Sequence, residues 1–122
     1  GFIYEVTHTP TGRKYIGKKV LYFNRTLPPL TDQKRKRKIV KESDWKTYFG
    51  SHAEIVGLIK EGKQEEFTKQ ILCFVRSKKL LTYYETKYLF IKEVLEYRNN
   101  YINDNVLGKF YRKDFITPDT DD

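Results

Sequence analysis

The 122-residue sequence predicts one small domain of the α+β (mixed α/β) class, and three stretches carry that prediction. Residues 2–8 and 14–21 are β-prone runs on either side of Thr9-Pro10-Thr11-Gly12, which supplies the Pro and Gly of a tight turn, so together they read as a β-hairpin. Residues 67–75 read as a third, central strand. Residues 77–97 carry Leu80, Tyr84, Tyr88, Ile91 and Leu95 at three-to-four-residue spacing, which predicts a long amphipathic helix packed on a sheet.

The remaining elements follow in chain order. From Tyr22 to Lys41 the character changes: Pro28-Pro29 opposes regular pairing and residues 34–38 are five cations in succession, so residues 22–42 read as an extended basic insertion. Ser43-Asp44 caps a short helical turn with Trp45, Tyr48 and Phe49, at least two of them expected to pack in the core rather than stack on bases. Residues 51–62 predict a helix with a capping box in Ser51 and Glu54, a core face of Ile55, Leu58 and Ile59, and a stop at Gly62. Residues 101–106 suggest a short extended piece. The domain is taken to span residues 1–115, with an acidic tail at 116–122.

Composition narrows the function classes. Lys and Arg number 24 against 16 Asp and Glu, and the net charge of +8 makes polyanions the expected partners. The longest apolar run, residues 71–75, is far short of the roughly 20 residues of a membrane-spanning helix. No secretory leader is visible. The lone Cys73 lies within that apolar run, reads as a core residue, and fits a reducing, cytoplasmic compartment. Gly1 at the start and the lack of Met fit a segment of a longer protein.

Hydrolysis of a phosphodiester needs an activated water, a cation against the charge developing on phosphate, and help for the leaving oxygen. Tyr4 and Tyr15 sit on the two strands across the predicted turn, where cross-strand pairing would bring their rings near one another, and Gly17 would leave room beside them. Phe2-Ile3-Tyr4, ten residues, then Tyr15-Ile16-Gly17 resembles the GIY-YIG nuclease motif, with Phe2 where the motif has Gly. Lys18 follows the second half of the motif, Arg25 lies ten residues after Tyr15, Glu85 sits in the long helix and Asn103 follows it, each where the family's motif residues fall. Tyr48-Phe49-Gly50-Ser51 resembles the Tyr-x-Gly-Ser element of a phage-encoded, homing-endonuclease-like branch, so the resemblance runs from Phe2 to about Phe110.

The resemblance implies a small three-stranded antiparallel sheet flanked by helices, the GIY-YIG nuclease fold, with both tyrosines, an Arg and the Glu lining one face. It implies a DNA endonuclease acting on double-stranded DNA in a host cytoplasm, with one Mg²⁺ or Mn²⁺ on Glu85; chemistry agrees, since a lone carboxylate holds such an ion when waters and substrate oxygens complete the octahedron. Tyr15, with Tyr4 as the lesser candidate, would act as base, its phenol lowered by Lys18 and the metal. Arg25, Arg35 and Arg37 compete for the family's helical Arg, which would grip phosphate with its fork of donors.

Each residue has a rival reading. Thr82-Tyr83-Tyr84-Glu85 is itself a capping box, Asn103 suits a turn, and His52 suits a helix start as well as a phosphate contact. Lys19, Arg35, Lys36, Arg37 and Lys38 are candidate DNA contacts, although residues 34–38 also suit a solvated loop or a nuclear-import signal. The alternative function is a degenerate, non-catalytic domain that binds nucleic acid. An RNA-binding protein ranks behind, because no single-strand RNA module signature occurs in the sequence.

Overall fold

The computed structural model describes residues 1–28, 37–96 and 100–115 of the chain, without the side chains of residues 25–27 and 37–38. Strands β1 (Phe2–His8) and β2 (Arg13–Lys19) form the expected hairpin. Their turn closes with Gly12 N donating to His8 O at 2.8 Å, and Gly12 adopts a φ of 71°, a region that favours glycine. The antiparallel register runs from Phe2 opposite Lys19 to His8 opposite Arg13.

Strands β3 (Tyr22–Leu27) and β4 (Arg37–Glu42) pair antiparallel with one another as a separate two-stranded sheet. This corrects the expected extended loop. Pro28 has no N–H to give a ladder, but it lies one residue beyond Leu27, so it bounds the pairing instead of blocking it.

Helix α1 (Ala53–Lys60) begins later than expected, with His52 as its N-cap, so the Ser51–Glu54 capping box does not form. Gly62 does supply the stop, at a φ of 82°, with its N–H on Ile59 O. Strand β5 (Phe67–Phe74) pairs antiparallel with β1, giving the order β2-β1-β5. The central strand is therefore β1 and not β5. Its Phe2, Ile3, Tyr4 and Val6 are each 2% exposed or less, as expected of a strand covered on both faces.

Helix α2 (Lys78–Ile91) is capped by Ser77, whose Oγ accepts from Leu80 N at 3.1 Å, and it ends well before residue 97. Leu81 and Leu89 are buried, the predicted Tyr84 and Tyr88 pack against the same core with Leu95 buried beyond the helix, and the predicted Leu80 and Ile91 are exposed, so the buried stripe is shifted toward Leu81 and Leu89. Short strands β6 (Asn105–Val106) and β7 (Phe110–Tyr111) follow, and a 3-10 turn, Arg112–Phe115, closes the described chain.

Alternation along the strands divides the core in two. Ile3, Ile16 and Val75 meet Leu81 and Leu89 of α2, with Val94 and Leu95 beyond it and Cys73 partly buried alongside. On the opposite face Phe2, Tyr4, Val6 and Phe67 meet Ile55 of α1, and Trp45, Tyr48 and Phe49 all pack there, as core rather than free stacking surface. Among the described residues no helix is long and apolar enough to cross a membrane.

Candidate active site at the edge of the sheet

The site is built where β2 passes between the two helical layers. Tyr4 lies opposite Gly17, and a Cβ on Gly17 would stand 2.4 Å from the Tyr4 hydroxyl, closer than any real contact. Gly17 thus makes the room expected of it. Tyr15 lies diagonally across the hairpin, its ring centroid 6.5 Å from that of Tyr4. Gly50, part of the Tyr-x-Gly-Ser element, has a φ of 116° and a would-be Cβ 3.0 Å from the Tyr15 ring, which make it the second glycine on which these rings depend. No local pattern announces this, because the contact spans separate elements.

The outer edge of β2 is paired by the segment after α2. Lys14 N donates to Asn100 O at 2.8 Å and Ile102 N to Lys14 O at 2.7 Å, in a parallel bridge of Lys14 with Tyr101. Asn103 then continues the ladder with its side chain. Its Nδ2 donates to Ile16 O at 2.9 Å and its Oδ1 accepts from Ile16 N at 3.0 Å, so the amide stands in for the next peptide unit. Asn103 is 5% exposed and fixes the backbone immediately after Tyr15, a role beyond the turn former that its sequence context suggested.

Helix α2 brings the acid. Lys18 Nζ donates to Thr82 Oγ1 at 2.7 Å, and Glu85 follows one turn later. Thr82 lies inside a helix that Ser77 caps, so the Thr82–Glu85 capping box is ruled out as the reason for Glu85. Tyr15, Lys18, His52, Thr82, Glu85 and Asn103 line one cleft of about 280 Å³, with Asp104 at its rim. Arg112, unremarked in the sequence, donates through Nη2 to Val94 O, Tyr101 O and Asn103 O and so holds the segment that carries Asn103.

Burial raises the pKa of Glu85 above the usual carboxylate range, and the charge of Lys18 partly opposes it. Burial, followed by the charge of Glu85, also raises that of Tyr15, while a hydrogen bond with Ser51 works the other way. Lys18 is not among the groups that act on Tyr15: its ammonium acts on Glu85, and without a metal the phenol keeps its proton. Tyr4 is held protonated more strongly still, first by burial and then by Tyr15, and it packs behind Tyr15.

His52 accepts from Glu54 N through Nδ1 at 3.2 Å and bonds Asp104 Oδ2 through Nε2 at 2.6 Å, so both ring nitrogens are engaged. Its ring stands 5.9 Å from that of Tyr15, edge to face. Asp104 is the partner that sequence reading missed, 52 residues away. Lys19 points to the other layer, paired with Asp44 at 2.7 Å and 3.8 Å above the Tyr48 ring. Arg25 lies in β3 opposite Ile39, and Arg37 and Lys38 lie in β4, so neither Arg25 nor Arg37 occupies a helix. Arg35 and Lys36 fall outside the described residues, as does the tail at 116–122. Among the described residues no group of three or more His, Cys, Asp or Glu converges as a metal site.

A family model described as "Putative endonuclease segE, GIY-YIG domain" matches residues 1–106. No match was found among curated proteins or solved structures.

Proposed function

The chain belongs to the GIY-YIG endonuclease family, which implies nuclease activity, and from that membership we propose a metal-dependent endonuclease that hydrolyses phosphodiester bonds in double-stranded DNA. The observation that carries the reading is the convergence of Tyr15, Lys18 and Glu85, from one strand and a helix far along the chain, on one open cleft. A binding surface for anions would not by itself place a half-buried carboxylate there.

Glu85 suits a hard divalent cation. Among the described residues no donor hydrogen-bonds its carboxylate, and burial makes its bare charge costly. A single Mg²⁺ or Mn²⁺ held there would offset charge developing on the phosphate and acidify a bound water. Lys18, tethered to Thr82, places a further cation at the cleft wall for a phosphate oxygen. Arg25 would grip a phosphate with two donors at once.

In the reaction a water oxygen bonds to phosphorus, the bond from phosphorus to the leaving oxygen breaks, and that oxygen gains a proton. Tyr15 would take the proton of the attacking water; supporting this, it lines the cleft while Tyr4 packs behind it. Its rest state opposes this through burial and the charge of Glu85. Once the Glu85 charge is compensated, the second of these causes falls away. Asn103 keeps Tyr15 in register through Ile16, and His52 walls the ring.

Supercoiled plasmid incubated with the purified chain tests the proposal. Cleavage is expected with Mg²⁺ and not with chelator. Glu85→Gln should lose it by orders of magnitude while binding DNA in chelator at least as tightly, since a negative charge near phosphate is gone. Tyr15→Phe should bind normally and cut poorly. Plasmid that is shifted but never cut would identify a non-catalytic binding domain, and a Glu85→Gln chain cutting at the normal rate would remove Glu85 from the mechanism.

A further inference from the structure

Arg25 apart, the β3–β4 ribbon has no place in the chemistry above, yet residues 22–42 carry seven Lys and Arg against Asp32 and Glu42, which is most of the chain's +8. Its register puts Tyr22, Asn24, Val40 and Glu42 on one face, Glu42 held by Trp45 Nε1 at 2.8 Å at the root, and Phe23, Ile39 and Lys41 on the other. Both faces are open: Tyr22 and Val40 are 59% and 69% exposed, Phe23 and Ile39 38% and 39%. A two-stranded ladder alone is marginal in water, and aromatic and β-branched residues on its two faces gain stability only when something covers them. The ribbon's root is nevertheless fixed to the body, by Ser43 N on Leu21 O at 2.8 Å and Lys19 with Asp44 at 2.7 Å.

Building on the reading as a nuclease of duplex DNA, we propose that this ribbon enters the DNA major groove and reads base edges through Asn24 and its cross-strand partner Val40. The major groove, about 12 Å wide, admits a two-stranded ribbon. The excess of cations selects a polyanion rather than an apolar protein surface. Asn24 offers the donor and acceptor that an adenine edge matches, and Val40 offers methyl groups to a neighbouring thymine methyl. Lys41, on the other face, holds phosphate and carries no sequence information. A fixed root means that the bases read by the ribbon set which phosphodiester meets the cleft.

The test uses the whole chain carrying Glu85→Gln, so that DNA is bound but not cut, and selects binders from randomised duplexes. Added Asn24→Ala should broaden the selected sequences at one position, with discrimination there falling about tenfold and the salt slope unchanged. Added Lys41→Gln should weaken all sequences alike and reduce the log–log salt slope by about 1. Both residues are exposed, so unchanged thermal unfolding confirms the fold. If Asn24→Ala with Val40→Ala selects the same sequences at the same affinity, the ribbon does not read the groove, while DNA binding stands. Equal affinity for duplex RNA, whose major groove is too deep and narrow for a ribbon, also overturns it. A chain that binds no duplex at all overturns both the ribbon and the nuclease reading.

Discussion

The three-stranded sheet and the two-stranded ribbon are made of the same kind of strand in opposite circumstances. In β1, alternate residues enter two different cores, and Phe2, Ile3, Tyr4 and Val6 are sealed on both faces. In β3 and β4 the same alternation leads to water on both faces. Burial on two sides fixes side-chain positions closely, which the cleft needs, because the Tyr4 and Tyr15 rings are held by contacts that one added methyl would spoil. A ribbon that buries little has little stability of its own and is free to take its shape from a partner. That difference fits the proposed division of labour, with the chemistry on the sheet and the recognition on the ribbon.

The comparison breaks first at Asn103. Asn103→Ala leaves the N–H and C=O of buried Ile16 without partners, and at about 1–3 kcal/mol for each orphaned group it should cost roughly 2–6 kcal/mol of stability in denaturant titration. A loss below about 1 kcal/mol would mean that water replaces the amide and that the edge of β2 is less sealed than the burial of Asn103 indicates. Next comes Gly17→Ala, whose Cβ meets the Tyr4 hydroxyl at 2.4 Å. Overpacking of this kind costs about 1–3 kcal/mol, and cleavage should fall with it, since the ring that must yield supports Tyr15. Unchanged stability and rate would show that Tyr4 is free to move.

Glu85 gives a smaller effect with a sign. Burial raises its folded-state pKa above the unfolded value, so between the two the folded chain binds more protons, and stability falls as pH rises through that window. Glu85→Gln removes the group. In chelator the variant should therefore melt higher than the parent at neutral pH, and the gap should close below about pH 4, where the parent's carboxyl is protonated in both states. A variant that melts lower at neutral pH would mean that the carboxylate is satisfied by contacts rather than strained by burial. Smallest is Val40→Ser on the ribbon, expected to change stability by less than about 0.5 kcal/mol. A cost above 1 kcal/mol would show the ribbon packed against the body and would erase the contrast.

The errors in reading the sequence cluster where two local patterns compete. Helix α2 has apolar residues at Leu80, Tyr84, Tyr88 and Ile91 and also at Leu81 and Leu89, two neighbouring stripes of the same period. Periodicity finds the helix but cannot choose between them. Thr82 and Glu85 fit a capping box by spacing, but Ser77, standing just after β5, is the residue positioned to start the helix. The apolar run 71–75 made β5 look central, yet strand order depends on which edges pair, and β1 takes the centre by pairing with both β2 and β5.

The sequence by itself determined the elements and the chemistry they could carry: a hairpin punctuated by Pro10 and Gly12, a third strand, a long helix, and the spacing of Tyr4, Tyr15, Lys18 and Glu85. Those are properties of neighbours along the chain, where turn chemistry and side-chain period act directly. Only the tertiary structure decided which residues share a cleft. The amide of Asn103 on Ile16, Asp104 on His52, Lys18 on Thr82 and Gly50 beneath Tyr15 join residues tens of positions apart. No local preference encodes such pairs, because each exists only once the two cores have closed on opposite faces of β1 and fixed the edge of β2 between them.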